Sequence, residues 1–391
     1  MNHNNPIPQS TSRVISIFCG VLFFVFCFSY IFCMEGDLLA QAQYVFAKGV
    51  TSYNDFIGAL IIAAVLKCVQ SGVGKLTKLS GCWYALSYFP SFMILAVITS
   101  VNQDTIDDFT FSGWYWAVPL LLGLFVLLVV LIHRFQPSSI IDGDYSIFRY
   151  LWPNFLTLMV MILLCCSCHT ADDSYQYELH AERLILKGKF NDAALVGRKS
   201  YVKNKRLNCL RYYALVRQGK LADHLFDYPT DEDFELLIDL TDTNSLQHQF
   251  TTRDICAYLG AIPNKFVTSP TQYFEYMLKV DSLPDVKAVT DYYLCSLLMD
   301  RDLNTFYRKL PHYYSCQSDE SIKSLPRIFK EALIISKRYN GRENLFPDER
   351  TRKEYEDYRQ ISMMQADSTK RANLLRRKYG NTLWWYLDQR N

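Results

Sequence analysis

LWPNFLTLMVMILLCCSC, from Leu151 to Cys168, is the stretch on which the reading of this chain turns. It carries no charge and is long enough to cross a bilayer core of about 30 Å. Before it the sequence is apolar and nearly uncharged; after it, charged residues recur in amphipathic patterns. Up to His169 there are seven basic and eight acidic residues, so the remaining 222 positions hold 34 of the 41 Lys and Arg and 31 of the 39 Asp and Glu. The net charge of +2 conceals this division and excludes the strongly basic surface that nucleic acid requires. The chain therefore reads as a membrane half, with the lipid bilayer as its partner, joined to a water-facing half.

Four more apolar stretches precede Leu151. Val14–Met34 lacks the short apolar core and small-residue cleavage site of a secretory signal, so it reads as a retained span. Residues 55–74 are interrupted by Lys67. A lysine at mid-bilayer costs about 3 kcal/mol, so Lys67 is expected near a helix end, where it can snorkel to the headgroups. Residues 82–101 contain Pro90, and residues 114–132 contain Pro119. Trp83, Tyr84, Trp114, Tyr115 and Trp116 sit at span starts, where amphipathic rings favour the interface. With 151–168 this predicts a five-helix transmembrane domain over 14–168, after a disordered cytoplasmic tail at 1–13.

Charge sets the expected orientation. Arg13, Lys67, Lys75, Lys78, Arg134 and Arg149 fall on one side, against Lys48, Arg183 and Lys187 on the other. The acidic loop Asn102–Gly113, with Asp104, Asp107 and Asp108, has no base. The positive-inside rule puts the amino terminus in the cytoplasm, and five crossings put everything after Cys168 outside.

The carboxy-terminal half, 169–391, begins after a short linker, His169–Asp172. Asp173, with Gln176 three residues on, has the spacing of a capping box, and Gly188 ends the helix that follows. LILKGKFNDAAL (184–195), LVRQGKLADHLF (215–226) and LLMDRDLNTFYR (297–308) align without gaps: apolar helix end, tight turn, then Phe190, Leu221 or Leu303 opening the next helix. The first two turns lie 31 residues apart, a period expected of stacked helical hairpins. The first unit resembles a tetratricopeptide repeat, with Ala181 and Ala193 at the small positions and Leu184 where an aromatic is usual. The others depart from it, with Tyr212 and His224, then Leu294 and Phe306, at those positions. The expected fold is thus all-α, with the membrane helices followed by a TPR-like α-solenoid.

Further helices are predicted from Ser269-Pro270, with an apolar stripe of Tyr273, Tyr276, Met277 and Val280, and from Pro284-Asp285. Leu325–Tyr339 reads as an amphipathic helix and 348–379 as one long charged helix. Trp384, Trp385 and Tyr386 are expected to fold back as a cap or to touch the membrane interface.

Signs of chemistry are few. HExxH, GxSxG and glycine-rich nucleotide loops do not occur, and Gly72-Val73-Gly74-Lys75 is followed by Leu76 where a phosphate loop needs a hydroxyl. Cys165, Cys166, Cys168 and His169 lack a second cluster of metal ligands and read as small apolar side chains at a span end. Cys209, Cys256, Cys295 and Cys316 match no zinc spacing. No cofactor, metal or catalytic residue is expected, and the histidines His180, His224, His248 and His312 read as surface or capping residues. Nineteen of the 27 tyrosines follow Cys168. Tyr212, Tyr213, Tyr292 and Tyr293 are the candidate partner-binding aromatics, since Tyr with Arg on a helical-repeat face suits a protein or peptide partner; the alternative is interhelix packing. Cys295 and Cys316 could pair in an oxidising compartment, the alternative being a buried thiol.

The stretches DYYLCSLLMDRDLNTFYRKLPHYY (291–314), LPRIFKEALIIS (325–336) and RRKYGNTLWWYLD (376–388), with the leader HNNPIPQSTSR, resemble a family of uncharacterised Bacteroidales membrane proteins, a domain-of-unknown-function family with a multi-span amino half and a helical-repeat carboxy half. The resemblance implies a Gram-negative inner membrane with the periplasm outside, and transfers no functional residue. The expected function is an inner-membrane-anchored periplasmic binding or scaffold module. The competing expectations are a transporter or sensor component, in which the spans do the work, and an enzyme on envelope lipids or glycans.

Overall fold

The computed structural model describes residues 9–100, 113–135, 147–168, 173–200, 204–228, 237–240, 248–263, 267, 269–280, 283–364 and 368–388. Met1–Pro8, most of the acidic loop and the linker 169–172 lie outside these. Among the described residues every regular element is a helix. The chain forms two compact units that divide between Gln176 and Tyr177.

The first unit holds α1 (Gln9–Cys33), α2 (Gly36–Phe46), α3 (Asp55–Thr77), a 3-10 segment (Gly81–Tyr88) continuing into α4 (Phe89–Thr99), α5 (Trp114–Phe135) and α6 (Phe148–Ser167). Five stretches are long and apolar enough to cross a membrane: Thr11–Cys33, Asp55–Thr77, Gly81–Thr99, Trp114–Phe135 and Phe148–Ser167. Each overlaps an expected span, but Gln9–Arg13, expected to be disordered, is already helical. The buried stripe of α1 runs Ile15, Cys19, Phe23, Cys27, Tyr30 and Ile31, the three-and-four spacing of a single helix face. The rest of α1 carries exposed Ile17, Val21 and Val25, as suits a lipid-facing surface. The short helix α2, between the first two spans, was not expected. It buries Leu38, Leu39, Ala40 and Gln41 and leaves Phe46 exposed.

The third span changes winding part-way, and two residues account for it. Pro90 lacks the N–H that an α-helix would need there, so α4 can only begin around it. Asn154 of α6, fully buried, accepts from the Ala85 N–H (2.6 Å) and donates to the Gly81 carbonyl (2.7 Å). Those two backbone groups are the partners of one α-helical hydrogen bond. The inserted carboxamide separates them and leaves the segment wound as a 3-10 helix.

The second unit holds α7 (Asp173–Leu186), α8 (Phe190–Leu195), α9 (Lys205–Arg217), α10 (Leu221–His224), α11 (Thr252–Leu259), α12 (Pro270–Met277), α13 (Val286–Met299), α14 (Leu303–Tyr313), α15 (Asp319–Lys323), α16 (Arg327–Ile334), α17 (Glu349–Met364), α18 (Ser368–Tyr379) and α19 (Leu383–Asp388). The three aligned turns share one geometry. Gly188, Gly219 and Arg301 have φ of 72°, 66° and 61°. Each N–H bonds to the carbonyl three residues back, and the next N–H to the carbonyl five back, the Schellman pattern. The arms are unequal, however: α8 has six residues and α10 four, and only α13 and α14 form a hairpin with two full arms. Gly197, at φ 62°, turns the chain just beyond α8.

Every residue of α13 from Ala288 to Met299 is buried, so this helix is the axis of the unit's main core. Ser269 and Asp285 cap α12 and α13 as their sequence signals require. The expected single helix over 348–379 is corrected: α17 and α18 are separate helices that fold onto one another, with Tyr358 against Tyr379 and Asp357 bonded to Lys378 and Tyr379. The expected helix over Leu325–Tyr339 contracts to Arg327–Ile334. Trp384 and Tyr386 are buried, Tyr386 stacking on Phe226 and donating to the Met299 carbonyl, so the chain's end folds back on its own unit.

Candidate functional site

Each unit contains a polar arrangement that packing alone does not require. In the first it centres on Lys67, which lies midway along α3 rather than at its end. The ammonium donates to Gln70 Oε1 (2.7 Å) and to the Tyr88 hydroxyl (2.8 Å). Gln70 donates to Ser87 Oγ (2.9 Å), and Tyr84 shares a hydrogen bond with Ser16 (2.8 Å). Gln70, Ser87 and Tyr88 are fully buried, and Gly20 makes room, since a Cβ there would stand 3.2 Å from Lys67 Nζ. The expected snorkelling is therefore corrected. Gln70 of the same helix and Tyr88 of the 3-10 segment supply neutral oxygens that satisfy the cation in place, so it need not reach for headgroups. With Lys67 removed from the loop count, the charge asymmetry falls from six basic residues to five against three, with the same sign.

A second polar group, Tyr30, Glu35 and Thr99, gathers at the far end of α1 and α4. Phe23 lies between, its ring 4.8 Å from that of Tyr88 and 5.1 Å from that of Phe92. Aromatic packing thus separates the two polar groups.

In the second unit, α12, α13 and α14 enclose a trough of about 460 Å³. Thr271 and Glu275 line one wall, Thr305, Arg308, Lys309 and His312 the other, and Tyr293 and Leu297 the floor. The wall residues of α14 recur at three-and-four spacing, so one helix face supplies them all. Lys309 pairs with Glu275 at 3.6 Å, and Asp302 at the trough's end caps α14 by accepting from the Thr305 N–H (3.0 Å).

Of the four tyrosines singled out from the sequence, Tyr212, Tyr213 and Tyr292 are core residues. Tyr212 packs on Tyr228, Tyr213 on Phe250 and Tyr258, and Tyr292 stacks on Phe274. Tyr293 is also buried but lines the trough floor, where its phenol feels the charges of Glu275, Arg308 and Asp302. The exposed ring beside the trough is instead Tyr313, at 38% exposure, whose ring centroid lies 6.5 Å from that of Tyr293; Tyr276, at 57%, is exposed on a different face of α12 from Thr271 and Glu275. The four residues do not form one surface. The apolar stripe expected on α12 narrows to Tyr273 and Met277.

A family profile described as a family of unknown function (DUF6057) matches residues 106–264 and 264–390. The chain belongs to DUF6057. No curated protein and no solved structure matches this DUF6057 member. The matched stretches take in α5, α6 and the whole second unit, trough included.

Paired carboxylates also occur, but without a cavity to serve. Glu178 and Glu182, one turn apart on α7, both face Arg206 of α9, at 2.7 and 3.7 Å. Glu182 also accepts from the Phe250 N–H, and burial pushes its carboxyl up to about 7. His248, expected at the surface, is buried 3.8 Å from Glu178, and burial with the nearby Arg206 holds its imidazole down to about 3. The adjoining cavity is about 20 Å³, room for one water. The cluster fastens residues 248–250 onto α7 and α9. Among the described residues no group of three or more His, Cys, Asp or Glu is placed to hold a metal. None of the twelve cysteines, all within the described residues, forms a disulfide, and Cys295 is fully buried.

Proposed function

We propose that the protein is a bilayer-anchored binding module whose helical unit takes a protein or peptide partner in the α12–α14 trough. The trough carries this reading: an open cleft on the one aligned turn with two full arms, with Arg308 on its wall, Tyr293 on its floor and the exposed Tyr313 beside Tyr293. Tyr and Arg are the residue types that dominate binding energy at interfaces. The five apolar stretches would supply the anchor, and an odd number of crossings with the five-to-three basic asymmetry supports a trough on the periplasmic side of an inner membrane. We read the hairpins as degenerate tetratricopeptide-like units, of which α13–α14 keeps both arms. A photo-crosslinking residue at position 313, in living cells, should give a discrete adduct of reproducible mass. Absence of any adduct beyond that of a control position such as 374 would refute the reading, and a carboxy-terminal reporter active in the cytosol would refute the orientation.

A second reading rests on Lys67. A charge held mid-helix by two neutral partners, Gln70 and Tyr88, with no carboxylate bonded to it among the described residues, is the kind of group that marks a transport or sensing role. On that reading Lys67→Met abolishes whatever phenotype the intact gene supports while the protein still accumulates. An unaltered phenotype would leave the spans as anchor alone.

A further inference from the structure

We infer that the α12–α14 trough selects a carboxylate, carried by an extended peptide as an Asp or Glu side chain or as its carboxy terminus. This rests on the binding-module reading and goes beyond it by specifying the ligand's chemistry. The argument is an inventory of which polar groups in the trough are already engaged.

Both acids are committed. Asp302 is the cap of α14 and accepts from Thr305, and Glu275 faces Lys309 across the cleft. Thr271 donates to Asp300. The donors are not committed to the same extent. Arg308 forms no hydrogen bond or ion pair among the described residues, and neither does the hydroxyl of Tyr293. His312 sits one turn beyond Arg308 on the same helix face. A ligand entering the trough therefore meets a planar guanidinium, a phenol and an imidazole with donors to offer, and no uncommitted carboxylate to compete for them. A carboxylate matches that set, since Arg binds it through two parallel charge-assisted hydrogen bonds. A cationic group would have to share carboxylates already engaged with Lys309 and the Thr305 N–H, beside the like charges of Arg308 and Lys309.

Size points to a peptide. The lined face of α14 runs from Thr305 to His312, which at 1.5 Å per residue is about 10 Å, the span of about three extended residues. The floor of Tyr293 and Leu297 offers an apolar strip for one side chain beside the charged one.

The test uses the full chain in lipid nanodiscs, incubated with two randomised octapeptide pools, one carboxy-amidated and one with free termini, and identifies captured peptides by mass spectrometry. Arg308→Gln, at an exposed position, and the near-isosteric Tyr293→Phe serve as variants, with circular dichroism as the check on folding. Enrichment of Asp and Glu in the amidated pool, reduced about tenfold by Arg308→Gln and less by Tyr293→Phe, is the expected result for a side-chain carboxylate. Enrichment confined to the free-acid pool, with the same sensitivity to Arg308→Gln, assigns the carboxy terminus and equally supports the inference. Capture from both pools of peptides whose acid content equals that of the input, or capture that Arg308→Gln leaves unchanged, overturns the carboxylate and leaves peptide binding standing. Capture no greater than by empty nanodiscs overturns both.

Discussion

Glu331 offers the sharpest quantitative test of how the chain's end is held. It lies on α16, 1% exposed, and its carboxylate accepts from Arg327 Nε and from the backbone N–H of Leu383, both at 2.8 Å. Leu383 opens α19, so the side chain of one helix caps another, and the Trp384 indole donates to the Glu331 carbonyl beside it (3.0 Å). Burial outweighs the neighbouring Arg327 and pushes the carboxyl up to about 7. In the unfolded chain it titrates near 4.3, so the native state holds the proton more tightly. Its contribution to stability is therefore full below about 4.3 and is lost as pH rises through about 7, by about 4 kcal/mol. Hydrogen exchange of the peptide containing residues 383–388, read by mass spectrometry between pH 5 and 8 and corrected for intrinsic rates, measures the local opening energy. In the wild type that energy should fall across the window. In Glu331→Gln, which retains an acceptor for Leu383, it should be flat. Glu331→Ala, which orphans the Leu383 N–H, should be equally flat and lie about 2–3 kcal/mol below Glu331→Gln at every pH. Parallel pH profiles for wild type and Glu331→Gln would refute the argument, because the titrating group would then lie elsewhere.

Three further outcomes are expected. Arg301 occupies a left-handed turn while its guanidinium bonds to the Tyr386 carbonyl and covers that ring at 4.9 Å; Arg301→Gly and Arg301→Ala lose the same contacts, so Gly should be more stable by about 1 kcal/mol in chemical denaturation. Gly197→Ala combines a left-handed backbone with a Cβ 2.6 Å from the buried guanidinium of Arg211, and should cost about 2–4 kcal/mol; a cost below about 1 would mean that the turn can shift. Asn154→Val should cost no more than about 2 kcal/mol, since the Gly81 carbonyl and Ala85 N–H can rewind onto each other; a loss above about 4 would show that they cannot.

The spans were legible in the sequence because an apolar run of bilayer length has few alternative readings, and the three turns because Gly188 and Gly219 mark left-handed positions. Arg301 shows what alignment adds: its conformation is unreadable from residue type and becomes readable only beside the two glycines. The capping box Thr251–Asp254 with Gly260 was a usable signal for α11 that the sequence reading passed over. The candidate site was less legible. Tyrosine enrichment pointed to the right half of the chain, but three of the four chosen rings sit on buried faces of α9 and α13, helices covered on all sides, where periodicity cannot tell one face from another. The trough was missed because its walls come from α12 and α14, whose pairing across α13 depends on tertiary packing. Lys67 was misplaced for a related reason, since its acceptors Gln70 and Tyr88 come together only once α3 and the third span pack.

The carboxamide of Asn154 has an effect on length. The stretch Gly81–Thr99 has 19 residues, fewer than any of the other four apolar stretches. Wound throughout as an α-helix it would measure about 28 Å, short of a hydrocarbon layer of about 30 Å. With eight residues at the steeper rise of a 3-10 helix it reaches about 32 Å. One amide, reaching across from a neighbouring helix, stretches the shortest of the five apolar rods to the thickness of an oil layer of bilayer dimensions.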